Sequence, residues 1–194
     1  MKSFDEDLRD AELAHGHLCA GQVLGVRLAM LGLQKLGIDD PQGKDRKRLV
    51  TFVEIDRCAT DAVAVVTGCR LGKRALKFRD WGKMAATFVD VNSGKAIRIA
   101  ARESSKAFAR KMHPEIDNKN EQQMAAYREM SDEDLFRTRW VKVDLPAEEF
   151  PGYKGERIVC EMCGEGINFH REVRREGKVL CRGCAGENYY VSET

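Results

Sequence analysis

Two groups of metal-capable side chains stand out in this sequence. Cys160-x2-Cys163 and Cys181-x2-Cys184 are separated by 17 residues. Each pair offers two thiolates to one ion from a tight turn, and Gly164 and Gly183 supply the backbone freedom such turns need. Four thiolates at this spacing suit tetrahedral Zn²⁺, at about 2.3 Å per sulfur. The second group is His15-Gly16-His17-Leu18-Cys19. On a continuous helix His15 and Cys19 share a face while His17 points away. A break at Gly16 lets all three converge. Spacing alone leaves two readings: metal or redox chemistry, or structural histidines beside a small buried thiol.

Cys19 and two further cysteines, Cys58 and Cys69, join the four paired ones in an odd total of seven. Cys19 falls in the first turn of a helix if that helix starts near Leu18. Cys58, in Arg57-Cys58-Ala59-Thr60-Asp61, stands at the expected start of another. A helix dipole lowers a thiol pKa at both places and favours the thiolate. Asp61 lies one turn beyond Cys58, where it either orients a histidine or a water or caps the helix. Cys69 follows the same helix.

Arg70, Lys73 and Arg74, with Lys77 and Arg79, precede the next acid at Asp80. They read either as an anion cradle near the His/Cys site or as a solvated strand edge. Gly72-Lys73 lacks the GxxxxGK[ST] frame, which argues against a nucleotide P-loop. His113-Pro114 reads as a helix end. His170 is either an alternative zinc ligand or a surface residue. Trp81 and Trp140 read as core or interface residues.

The elements that must position these groups follow from pattern. Residues 5–36 read as one long helical region, with Leu24, Leu28 and Leu31 on one stripe and glycines at 21, 25 and 32 allowing close backbone approach. Lys35-Leu36-Gly37 is a helix end. Residues 49–55 read as a strand and 57–68 as a helix. Residues 75–81, 84–91 and 96–101 read as strands, with Asn92-Ser93-Gly94 as a hairpin turn. Helices follow over 103–112 and 119–130, and Ser131-Asp132-Glu133-Asp134 resembles a further helix start. The order α-β-α-β-β-β with added helices argues for an α+β core domain, followed by a small zinc-ribbon domain. The core spans 1–143, a Pro- and Gly-containing linker 144–157, and the ribbon 158–194.

Composition sets the limits. A chain of 194 residues and 21.9 kDa fits one domain plus a small module. Its net charge of +2 argues against a protein that coats nucleic acid. That total hides a basic segment, Pro41 to Lys111, with 17 Lys and Arg against 7 Asp and Glu. This segment reads equally as solvated surface or as a basic wall around an anionic ligand. The longest uncharged run, Leu13 to Val26, has 14 residues, against about 20 for a spanning helix. The opening MKSFDEDLRD is too acidic for a secretory signal. A cytoplasmic, reducing compartment follows, where clustered cysteines bind metal more often than they pair.

Several of these segments together are similar to the E-subunit family of formylmethanofuran dehydrogenase. They are HGHLCAGQVLGVRLA within Phe4 to Gly37, Arg57-Cys58-Ala59-Thr60-Asp61-Ala62, and Val66-Thr67-Gly68-Cys69-Arg70-Leu71-Gly72-Lys73. Ser131-x-Glu133-Asp134-Leu135-Phe136 and the four-cysteine ribbon complete the set. The family pattern has Pro after the Cys of HGHLC, where this chain has Ala20, and commonly lacks a cysteine at position 69. The resemblance implies the α-β-α-β-β-β core, a homodimer, and a core metal site on His15, His17, Cys19 and Cys58. Two imidazoles and two thiolates suit Zn²⁺, with Ni, Fe or Cu as alternatives. Four ligands close such a site, whereas three leave a position for water.

Two functions follow. One is a metal-binding accessory or redox/enzyme-like protein with an anionic small molecule or a redox enzyme as partner. The other is a zinc-ribbon regulatory module that binds protein or nucleic acid. Ile158 to Thr194 carries 5 Lys and Arg against 6 Asp and Glu, which weighs against nucleic acid despite Arg171, Arg174 and Arg175. No membrane is expected as a partner.

Overall fold

Ser3 starts the first helix. Its hydroxyl accepts from the Glu6 N–H while the Glu6 carboxylate accepts the Ser3 N–H at 2.8 Å, closing a capping box. In this computed structural model, which describes residues 1–191, α1 then runs Phe4–His15. Gly16 ends it in the left-handed region at φ 93°, donating its N–H to the Glu12 carbonyl. Cys19 is the extended N-cap of α2, Ala20–Leu36. The helical region expected over 5–36 is therefore two helices broken at Gly16. Leu24, Leu28 and Leu31 of α2 are all buried, as their spacing predicts.

The sheet is built from β1 (Leu49–Val53), β2 (Leu76–Phe78), β3 (Ala85–Asp90), β4 (Ala96–Ala101) and β5 (Phe136–Val141), in the order β2-β1-β3-β4-β5. A third helix, α3 (Cys58–Thr67), crosses from β1 to the parallel β2, and the other pairings are antiparallel. The helices α4 (Ser104–Met112), α5 (Lys119–Glu129) and α6 (Asp132–Leu135) lie between β4 and β5 in the chain. Register places Thr51 opposite Phe88 and Phe88 opposite Ile97, so these share a face. Phe88, Ile97 and Ile99 belong to the core that also holds Leu28 and Leu33 of α2 and Val63 of α3.

Glycine makes this core close. A β-carbon on Gly25 would sit 2.5 Å from the Ala59 carbonyl oxygen, and one on Gly32 would sit 2.3 Å from the Phe88 ring. Neither fits without displacement, so α2 packs on α3 and β3 at backbone distance.

Cations of the basic segment are engaged inside the fold. Arg98 bonds both oxygens of buried Glu54, at 2.7 and 2.6 Å. Arg48 reaches Asp90 at 3.0 Å and Asp45 at 2.9 Å. Arg102 donates to the carbonyls of Glu133 and Phe136. No described helix is long and apolar enough to cross a membrane.

The chain divides into two compact units, Met1–Asp144 and one beginning at Leu145. In the second, β6 (Arg157–Val159) pairs with β7 (Gly166–Asn168), and β8 (Val173–Arg175) pairs with β9 (Lys178–Leu180). Glu176 and Gly177, both at positive φ, turn the second hairpin. The buried core of this unit is small: Cys160, Ile167 and Leu180. So little apolar burial leaves a bound ion to supply folding free energy.

Candidate metal centres

His15 is the last residue of α1, and the left-handed Gly16 turns the chain immediately after it. That turn gathers neighbours a continuous helix would separate. One donor atom each from His15, His17 and Cys19 lie within 4.8 Å of one another. The two imidazole centroids are 4.6 Å apart. His15 Nδ1 is 2.8 Å from Asp61 Oδ2, in the first turn of α3. With its Nδ1 proton donated to Asp61, the ring presents the Nε2 lone pair inward. His15 Nε2 is buried and has no hydrogen-bond partner among the described residues. Buried ring nitrogens normally have partners, and a metal ion held between His15, His17 and Cys19 would supply this one.

Cys58 opens α3, and its thiol lies near enough to that of Cys19 for the two to interact electrostatically. It thus joins the cluster through Cys19, outside the set of three donors that lie mutually close. Gly21 covers both: its β-carbon would lie 3.0 Å from Cys58 Cβ and 3.6 Å from Cys19 Sγ. The helix-dipole expectation fails for Cys58. Burial first, and then the Cys19 thiol, push its pKa above the usual thiol value. All seven cysteines are free thiols.

Two further residues hold this corner. Gln22 is buried and donates to the Cys58 carbonyl at 2.6 Å. Asn120 of α5 accepts the Ala20 N–H at 3.0 Å. Neither stands out in the sequence reading. Gln22 carries a signal all the same, since it is a polar residue within the apolar stretch of α2.

Other candidate residues lie elsewhere. Arg70, Lys73 and Arg74 follow the C-terminal end of α3, whereas Cys58 begins it. Ten helical residues put about 15 Å between those ends. The expected placement of these cations beside the His/Cys site is therefore corrected. Cys69 is 3% exposed within the apolar core and accepts from the Thr51 hydroxyl at 3.5 Å. Burial raises its thiol pKa, so it is a core residue. Trp81 and Trp140 are each 60% exposed and are not core residues.

In the second unit, one sulfur each from Cys160, Cys163, Cys181 and Cys184 lie within 4.8 Å of one another. Cys163 and Cys181 Sγ are 3.9 Å apart. Tetrahedral Zn²⁺ with bonds of about 2.3 Å requires sulfurs about 3.8 Å apart, so the donor set fits zinc. Backbone N–H groups of Cys163 and Cys181 pull the Cys160 thiol down to about 6. A hydrogen bond with Cys181, followed by burial, pushes Cys184 up to about 12. His170 stays outside this cluster, with Nε2 2.9 Å from the Tyr153 hydroxyl.

Known proteins agree with this arrangement. Residues 153–190 match the prokaryotic dksA/traR C4-type zinc finger. A probable S-adenosyl-L-methionine-binding protein of Archaeoglobus fulgidus is 33% identical over 199 residues, covering 91% of this chain and 52% of that protein. The chain thus spans about half the length of that relative. The crystal structure of a tungsten formylmethanofuran dehydrogenase FmdE-like protein from Syntrophus aciditrophicus superposes with a TM-score of 0.66 at 23% identity. It covers 98% of this chain and 96% of its own, so the fold is shared. Residues 14–137, well over half the chain, match the family described as FmdE, molybdenum formylmethanofuran dehydrogenase operon. With its HGHLC turn, its α+β core and its C-terminal C4 finger, the chain belongs to the FmdE family.

Proposed function

We propose that this chain is a metal-binding accessory protein of redox or enzyme-like character, with two ions per chain. His15, His17 and Cys19 hold a transition metal in the core, and Cys58 completes the set. Cys160, Cys163, Cys181 and Cys184 hold a structural Zn²⁺. The observation that carries the core site is the orphaned His15 Nε2, buried beside His17 and Cys19 while Asp61 fixes the other ring nitrogen.

Each side chain has a part. Asp61 sets the ring angle and keeps the proton on Nδ1, which raises the basicity of Nε2. Gln22 anchors the Cys58 carbonyl and with it the first turn of α3. Held by all four residues, a Zn²⁺ there would be closed off and structural and an Fe or Cu would serve electron transfer; held by His15, His17 and Cys19 alone, the ion would keep one position open to polarise a water or carbonyl. A homodimer in the cytoplasm, with an anionic small molecule or a redox enzyme as partner, completes the reading.

Elemental analysis of the purified protein tests it. Two ions per chain are expected, one lost from the Cys19→Ser/Cys58→Ser variant and the other from Cys160→Ser. A single ion, lost only with Cys160, overturns the core site. The alternative of a finger that binds nucleic acid is disfavoured by ion pairing. Arg171, Arg174 and Arg182 lie 3.9, 3.7 and 3.9 Å from Glu149, Glu172 and Glu187. These cations already face carboxylates, and the finger as a whole carries 5 Lys and Arg against 6 Asp and Glu from Ile158 to Thr194, a balance that does not favour phosphate.

A further inference from the structure

At the opposite end of α1 from His15, a cavity of about 450 Å³ opens between the first turn of α1, the last turns of α2 and α3, and the loop 39–42. Its walls include Leu33, Pro41 and Val66, all buried and apolar. Asp7 also lines it. Asp7 is only 5% exposed, and its carboxylate has no hydrogen bond or ion pair among the described residues. A buried carboxylate without a partner is costly, and here burial raises its pKa.

The neighbouring charges are taken. The Glu6 carboxylate is held by the Ser3 N–H and hydroxyl. Asp40 accepts from the N–H groups of Gly43 and Lys44. Lys2 at the rim is paired with Asp10; it and the Met1 ammonium, which also lines the cavity, act on Asp7 only from beyond ion-pair distance, and burial outweighs them. Asp39, exposed and without a partner among the described residues, lines the same cavity. The cavity therefore presents one deep unpaired carboxylate, a second at its exposed side, and a hydrocarbon wall.

We propose that this cavity binds an organic ammonium cation, its charge paired with Asp7 and its carbon body lying on Leu33, Pro41 and Val66. Anions are repelled by both free carboxylates. A divalent metal ion needs about six or more oxygens around it, and here Glu6 and Asp40 are engaged by hydrogen bonds from Ser3, Gly43 and Lys44, which leaves only Asp7 and Asp39 to offer carboxylate oxygens. An ammonium with an alkyl chain satisfies both surfaces, and the volume lies in the range of small-molecule sites.

The test uses the full chain and n-hexylammonium chloride, followed by calorimetry and by amide shifts of Asp7 and Val66. Saturable binding is expected, with n-hexanol and MgCl₂ giving none. Asp7→Asn weakens binding at least tenfold, and Asp39→Asn weakens it several-fold. Without ligand, Asp7→Asn also raises Tm at neutral pH, because it removes a desolvated charge. Sign fixes that direction: a carboxylate with raised folded pKa stabilises below its unfolded value and loses that contribution as pH rises. Absence of binding, equal binding by Asp7→Asn, or competition by Mg²⁺ overturns the proposal. Asp39 is exposed, so Asp39→Asn provides a folded variant if Asp7→Asn fails to fold.

Discussion

The His15 imidazole and the Asp61 carboxylate meet at 2.8 Å across 46 positions of sequence, tying the end of α1 to the first turn of α3. The carboxylate is 58% exposed while the ring is 16% exposed, so the pair spans the boundary between solvent and site. As a single hydrogen bond to a half-exposed carboxylate it contributes little to stability. Its effect falls on the ring, whose tautomer and angle it sets.

Asp61→Asn should therefore act on metal affinity more than on folding. The expected loss in core-site affinity is about 10- to 100-fold, with the finger zinc unchanged. Competition with a chromophoric chelator measures it, alongside Tm as a control.

Gly25→Ala should loosen the same corner by overpacking. The added methyl meets the Ala59 backbone at 2.5 Å and Ala62 Cβ at 2.8 Å. Helix propensity favours Ala by about 1 kcal/mol, whereas overpacking a tight contact costs about 1–3 kcal/mol. Net destabilisation in urea is expected, together with weaker core-metal binding, because Ala59 adjoins Cys58.

Asp90 makes part of the acid sensitivity. Burial alone would raise its pKa, but hydrogen bonds from Arg48, Ser93 and the Asn92 N–H lower it below 3.8. A depressed folded pKa gives stability that is present above the unfolded value and lost as pH falls through the folded one. Asp90→Asn should lower the urea midpoint at about pH 6 and flatten its decline toward about pH 3.

Cys163→Ser should remove one zinc per chain and the amide protection of β6 to β9, since their buried core is so small. In the wild-type finger, zinc affinity should fall as pH drops already through the neutral range, because Cys184 with its thiol pushed up to about 12 must lose its proton to bind, and should fall more steeply still below about pH 6, where the Cys160 thiolate also takes up its proton. Zinc titration at stepped pH and hydrogen exchange measure the two effects.

Much of this is legible in sequence because its signals are local. HGHLC and the two C-x2-C pairs keep their donors within five residues, and Gly16 is the break that the pattern suggests there. Asp61 leaves two readings open because only the fold brings His15 to it. β5 has no signal of its own. Arg137, Thr138, Arg139 and Trp140 are all exposed on this edge strand, so no apolar alternation marks it. The basic cluster is misplaced by sequence proximity to Cys58, which ignores the length of α3 between them.

The left-handed turn at Gly16 also sets an order of assembly. His15, His17 and Cys19 lie within five residues, so gathering them closes almost no loop. Cys58 and Asp61 arrive only when α3 docks, and that closure carries the entropy of about forty intervening residues. The core metal proposed above would thus be able to engage the short segment while the chain is still emerging from the ribosome. Docking of α3 would then lock in place an ion already held, so that metal supply during synthesis would govern how fast this half of the protein matures.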